Sequence, residues 1–273
     1  MPNNSIKISI HDGTVNVVDE STKLAVYKAV KKINSTFSPE VFNNINIHIT
    51  SDFSNLPKSS SALNDYLKEN ESSYSATRGI TTDDYERKEI FIQESAFWTN
   101  KLLNIFSKFS FSANDEIEQA TLHEFGHQFD YLGGNEILMQ KHQELVNKYY
   151  NVQFEEIQLL PEEEKIMEEY FKNNGFSDKD DFKKALEKDL KNLKQTSSVS
   201  FKFGYLYAEF YNRGLDVIPN SEDIENADYS RGEIFAQSFS YIMGGDDGNK
   251  EEFIKIFPNT YKIVEKYVNS VRL

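Results

Sequence analysis

The chain contains no cysteine. That absence excludes disulfides, thiolate metal sites and cysteine nucleophiles, so any bound metal must be held by His, Asp or Glu. Basic residues are in deficit: 30 Lys and Arg stand against 44 Asp and Glu, a formal charge of −14. No basic run interrupts that excess, so a phosphate backbone would be repelled and nucleic acid is not an expected partner. No apolar run approaches the length of a membrane span, and the opening MPNNSIKISI lacks the charged start and apolar stretch of a signal peptide. An export signal removed before Met1 is compatible with this opening. No internal repeat is visible.

Large apolar side chains are abundant, with 21 Phe and 15 Tyr among 273 residues. Such a chain folds, and its length suits one large domain or two lobes closing around a cleft. The expected division is an α+β lobe over 1–134 and a mainly helical lobe over 135–273. In the first, Leu24 to Ile33 carries a helical stripe at 24, 26, 30 and 33, and Ile45, Ile47 and Ile49 alternate with polar residues as in a strand. Leu56-Pro57 and the serines after it mark a loop. Ile90-Phe91-Ile92 is a second short β-prone run, and the charged residues around it give it the look of a managed edge strand.

Residues 115–132 form a strong helix candidate: Ser112 or Asn114 can cap it, Asp115 and Glu116 fill the first turn, and Gly133-Gly134 stop it. From about 150 to 200 charges alternate. Pro161 with three following glutamates reads as one helix start and Ser177 as another, which together give an inserted helical hairpin whose charges form a solvated face. The aromatic run FKFGYLYAEFY at 201–211 suits core packing or a cleft lining. A further helix begins near Gly232 and ends at Gly244-Gly245. GGDDGN at 244–249 reads as a Gly cap and solvated turn, since the spacing of a calcium loop is absent. A last helix runs from near Pro258 to about Val268.

Within the helix candidate lies His123-Glu124-Phe125-Gly126-His127, an H-E-x-x-H motif. Histidines four apart share a helix face and can bind one zinc ion, while the glutamate between them leans toward the metal's open position as a general base. With five histidines in the chain, ~0.01 chance matches to this pattern are expected. His11, His48 and His142 have no such partner and read as ordinary surface or satisfied core residues. Catalytic zinc needs a third protein ligand. A Gly and a third His shortly after His127 are missing, so that ligand comes from elsewhere, commonly a glutamate on a later helix.

On these residues the chain resembles the anthrax lethal factor catalytic domain and its smaller relatives, the Pro-Pro endopeptidases. The likeness lies in HEFGH with Asp130 and Tyr131, in Arg78-Gly79-Ile80 through Glu89-Ile90-Phe91-Ile92, in Gly232 through Phe239, and in Phe257-Pro258-Asn259-Thr260-Tyr261. It covers roughly 74–150 and 226–270. The resemblance implies an α+β zincin-like fold, one catalytic zinc ion, Glu233 as third ligand, and a tyrosine before it that stabilises the tetrahedral intermediate. Glu233 and Gln237, four apart, share a helix face, so Gln237 can orient a ligand from behind. This chain departs from its relatives in having Gln237 where they carry an acid, and in placing Tyr229 only four residues before Glu233. Tyr229 is therefore either that tyrosine or one in a surface loop.

The resulting expectation is a zinc endopeptidase acting on a protein or peptide substrate, as a secreted bacterial or toxin-like protease. The alternative is a catalytically silent zincin-like docking domain. The substrate is expected to lie extended against Ile90, Phe91 and Ile92 by strand addition.

Overall fold

The computed structural model describes residues 6–13, 17–53, 56, 79–81, 88–95, 113–134, 136–149, 152, 156–172, 175–193 and 228–273. The loop expected after Leu56-Pro57, the aromatic run at 201–211 and the cap candidate Ser112 lie outside these residues.

The architecture is α+β with a small mixed sheet. Four strands, β1 (Lys7–His11), β2 (Asn46–Thr50), β3 (Gly79–Thr81) and β4 (Glu89–Gln93), are ordered β1-β2-β4-β3. The first three in that order run parallel, and β3 is antiparallel to β4, with Ile80 opposite Phe91. Strand alternation sends Ile47, Ile49, Ile90 and Ile92 to one face, where all four are fully buried. The opposite face carries His11, His48 and Phe91. His48 lies against Phe91 with ring centroids 4.7 Å apart, and Phe53, Leu56 and Ile80 cluster with Phe91.

The order of strands corrects one expectation. β4 is an interior strand whose backbone pairs with β2 on one side and β3 on the other, and Ile90, Phe91 and Ile92 are at most 1% exposed. They cannot receive a substrate strand. Among the described residues the outer strand on that side is β3.

Helix α1 (Glu20–Thr36) crosses between β1 and β2 and is capped by Asp19, which accepts from the Ser21 N–H. Its buried stripe is Thr22, Ala25, Val26, Ala29, Val30 and Ile33, whereas Leu24 is 56% exposed. Helix α2 (Ala113–Leu132) lies between the sheet, α1 and the helix α6 (Asp228–Ile242). α6 starts one turn before the expected Gly232, and Asn114, one residue inside α2, is not its cap. The remaining helices are α3 (Glu136–Tyr149), α4 (Pro161–Lys172), α5 (Asp180–Leu193), α7 (Lys250–Ile256) and α8 (Pro258–Ser270). No helix among the described residues is long and apolar enough to cross a membrane.

The helices of the expected hairpin, α4 and α5, pack chiefly on different partners, α4 on α3 and α5 on α8. The charge run is also not purely solvated. Asp189 of α5 is fully buried and accepts from the backbone N–H of Asn259 and Thr260 at the start of α8. Phe182 and Leu186 of α5 belong to the main core, which also takes residues of α1, the sheet, α2, α6 and α8. Core residues on both sides of residue 134 thus form one cluster. The GGDDGN turn matches its expectation: Gly244 and Gly248 have φ of 81°, and Asp246 and Asp247 accept from backbone N–H groups two residues on.

Candidate metal centre

The site forms where α2 and α6 cross. A Cβ on Gly126 would stand 2.7 Å from the Ala236 Cα and 2.8 Å from its carbonyl oxygen. Glycine at 126 therefore lets the two backbones approach, and the residues three before and one after the contact on each helix are brought face to face. His123 and His127 come from α2, one turn apart, and Glu233 and Gln237 from α6, also one turn apart. The crossing packs Phe125, Phe129, Phe235 and Phe239 into the core, all fully buried, so both helices are fixed by apolar contact on the side away from the polar groups.

The His123 and His127 Nε2 atoms are 3.2 Å apart. The Glu233 carboxylate lies 3.1 Å from the first and 3.3 Å from the second. Among the described residues this is the one group of three whose ligand atoms all lie within 4.8 Å of each other. A tetrahedral ion with bonds near 2.0–2.1 Å holds its ligand atoms ~3.3 Å apart; the 3.2 Å between the two imidazole nitrogens matches that edge, and Glu233 places Oε2 near one and Oε1 near the other. Two imidazoles and one carboxylate are also a donor set suited to zinc with a position left open. The residues present therefore fit such an ion.

Gln237 Oε1 stands 3.0 Å from His123 Nδ1. A carbonyl oxygen there accepts the Nδ1 proton, which leaves the Nε2 lone pair facing Glu233 and His127. The geometry is that expected for Gln237 as an orienting group.

Glu124 is buried beside this triangle. Its carboxylate accepts from the Thr81 hydroxyl at 2.6 Å, and the same hydroxyl lies 3.2 Å from the Glu124 backbone oxygen. Strand β3 passes so close that a Cβ on Gly79 would meet Glu124 Oε1 at 2.5 Å. Burial raises the Glu124 pKa, against the opposing pull of the two histidines and Thr81. At His127 burial alone would favour the neutral ring, but Glu233, Glu124 and Asp130 outweigh it and set the pKa at about 9. Glu233 is opposed by burial too, yet the histidines hold it below the usual carboxylate range. His127 and Glu233 thus hold each other in their charged forms, an ion pair whose carboxylate would equally favour a bound cation.

Tyr229 sits in the first turn of α6, in helix rather than in a loop, one turn before Glu233; its side chain lies outside the described residues. Ile90, Phe91 and Ile92 do not join the site. Sequence reasoning missed Thr81 and Gly126. Thr81 carries no motif, and its contact with Glu124 spans 43 residues. Gly126 stood in view inside the motif, and a small residue at a helix crossing was the available signal.

No family model matches the chain, and no curated protein matches it.

Proposed function

We propose that the chain is a zinc-dependent endopeptidase of zincin-like fold, related to the lethal factor catalytic domain and the Pro-Pro endopeptidases. The observation that carries this reading is the triangle of His123, His127 and Glu233 with the buried carboxylate of Glu124 at its side. A bound zinc ion would supply Lewis acidity, lowering the pKa of water and polarising the scissile carbonyl.

Glu124 takes the proton from the attacking water and passes it to the leaving amine. Burial, which raises its pKa, suits a group that must both accept and return a proton. Thr81 holds one carboxylate oxygen and leaves the other for this transfer. Gln237 keeps His123 in its ligating tautomer. Tyr229 is assigned as donor to the developing oxyanion. The substrate is assigned to the side of β3 away from β4, as an added strand, because Thr81 of β3 bonds Glu124.

Two variants test the reading. Glu233→Ala should lose zinc on dialysis, whereas Glu124→Gln should retain about one ion per chain and lose turnover of a peptide library. Retention of zinc by the first, or parental turnover by the second, would sink the assignment.

A further inference from the structure

The segment between α4 and α5 contributes no ligand, yet it touches both helices that do. Gly175 is followed by a single 3-10 turn, Phe176–Asp178. The Ser177 backbone N–H donates to Asp130 Oδ1 at 2.7 Å and its hydroxyl to Oδ2 at 2.6 Å. Asp130 lies one turn beyond His127 on α2. The next residue, Asp178, accepts from the Arg231 guanidinium at 2.7 Å, and both side chains are about 5–6% exposed. Arg231 stands two residues before Glu233 on α6. Lys183 adds a second cation 3.3 Å from Asp178.

The turn is fitted closely into place. A Cβ on Gly175 would meet Asp130 Oδ1 at 2.7 Å, and one on Gly133 would overlap the Phe176 ring. That ring stacks between Phe129 of α2, Phe235 of α6 and Tyr267 of α8, with centroids 5.3, 6.1 and 4.8 Å away. Two consecutive residues thus bind, by buried charged groups, the end of one ligand-bearing helix and the start of the other. The crossing at Gly126 sets how near the helices come. It does not by itself fix how far each slides or turns, and buried bidentate and ionic contacts do.

We propose that Asp130, Ser177, Asp178 and Arg231 form a brace of positioning residues that sets the spacing of His127 against Glu233, and so tunes metal affinity from outside the ligand set. The inference rests on the zinc reading above. Ser177 and Asp178 lie in the segment between the two stretches that carry the family resemblance, and Asp130 and Arg231 lie within those stretches.

The test is zinc affinity by chelator competition, together with the visible absorption of the cobalt-substituted protein, on the full chain. Ser177→Ala and Asp178→Ala should each weaken zinc by about ten- to a hundred-fold, as loss of outer partners does, and should alter the cobalt spectrum. Asp178→Asn, which keeps an acceptor for Arg231, should recover part of the loss. Asp189→Ala removes an equally buried carboxylate that anchors α8, so it should lower the melting temperature and leave zinc affinity unchanged. Should Asp178→Ala fail to fold, Ser177→Ala and Asp178→Asn carry the test. Parental affinity and spectrum in folded Ser177→Ala and Asp178 variants overturn the brace while leaving the zinc reading intact. A parent chain that binds no zinc overturns both.

Discussion

Two glycines beside the site predict opposite kinds of damage. At Gly126 the neighbour is the backbone of Ala236, which cannot swing aside, so Gly126→Ala must push α6 away from α2. The expected result is a loss of about 1–3 kcal/mol of stability, the usual range for overpacking, together with weaker zinc binding, read by chemical denaturation and metal titration. At Gly79 the neighbour is the end of the Glu124 side chain, which can turn. Gly79→Ala should therefore keep the metal and lower kcat, since the base is displaced and the ligands are not. Loss of zinc from Gly79→Ala would show that β3 supports the ligands themselves. His123, Glu124 and His127 were legible in the sequence because they lie within one helical turn, where spacing alone fixes geometry. Glu233 and Gln237 were legible only through resemblance joined to their spacing of four. Thr81 was not legible, because nothing in a three-residue strand announces which distant side chain its hydroxyl will meet.

Strand β4 was misread at the level of elements for the same reason. Gly79-Ile80-Thr81 is too short, and its glycine too poor a strand former, to register as a partner, so the run at 90–92 looked like an edge. The hairpin expected at about 150–200 was likewise read from local helix signals, which say nothing of what each helix packs on. Asp189 illustrates what those signals omit. It satisfies the first N–H groups of α8 from another helix, and Asp189→Ala should destabilise the fold by about 1–3 kcal/mol, the penalty for leaving buried donors unpaired. At the far edge of the sheet, His11 Nε2 and His48 Nδ1 are 2.8 Å apart, and Glu89 lies 3.4 Å from the other nitrogen of His48. Such a pair shares one proton well and two badly. Burial and the neighbouring His48 lower the pKa of His11 below its ordinary 6.5. As pH falls through 6.5 the unfolded chain therefore binds a proton that the folded chain resists, and stability drops. Thermal melts from about pH 8 to 5 should show this loss in the parent and a shallower one in His11→Gln. Equal slopes would remove the pair from the acid response.

Across the whole molecule, one core joins residues from both halves of the chain, and the α+β class with its small sheet was legible from alternating and helical periods. That the halves share a core was not, because local periods identify buried faces without saying which faces meet. The candidate metal centre sits on that shared core and joins residues 110 apart, His123 and Glu233. A ligand bound only by the folded state adds stability by mass action, about 2.7 kcal/mol at a free concentration one hundred times its Kd. Chelation should accordingly lower the melting temperature of the parent and leave that of Glu233→Ala nearly unmoved; equal shifts in both would place the stabilising ion elsewhere. The separation of the ligands along the chain has a further consequence during synthesis. His123, Glu124 and His127 leave the ribosome long before residue 233. Until α6 has emerged and docked at Gly126, the growing chain presents two candidate ligands and the proposed base but no closed coordination set. Under the proposed hydrolytic reading, the centre stays inert while its own polypeptide is still an extended, cleavable strand.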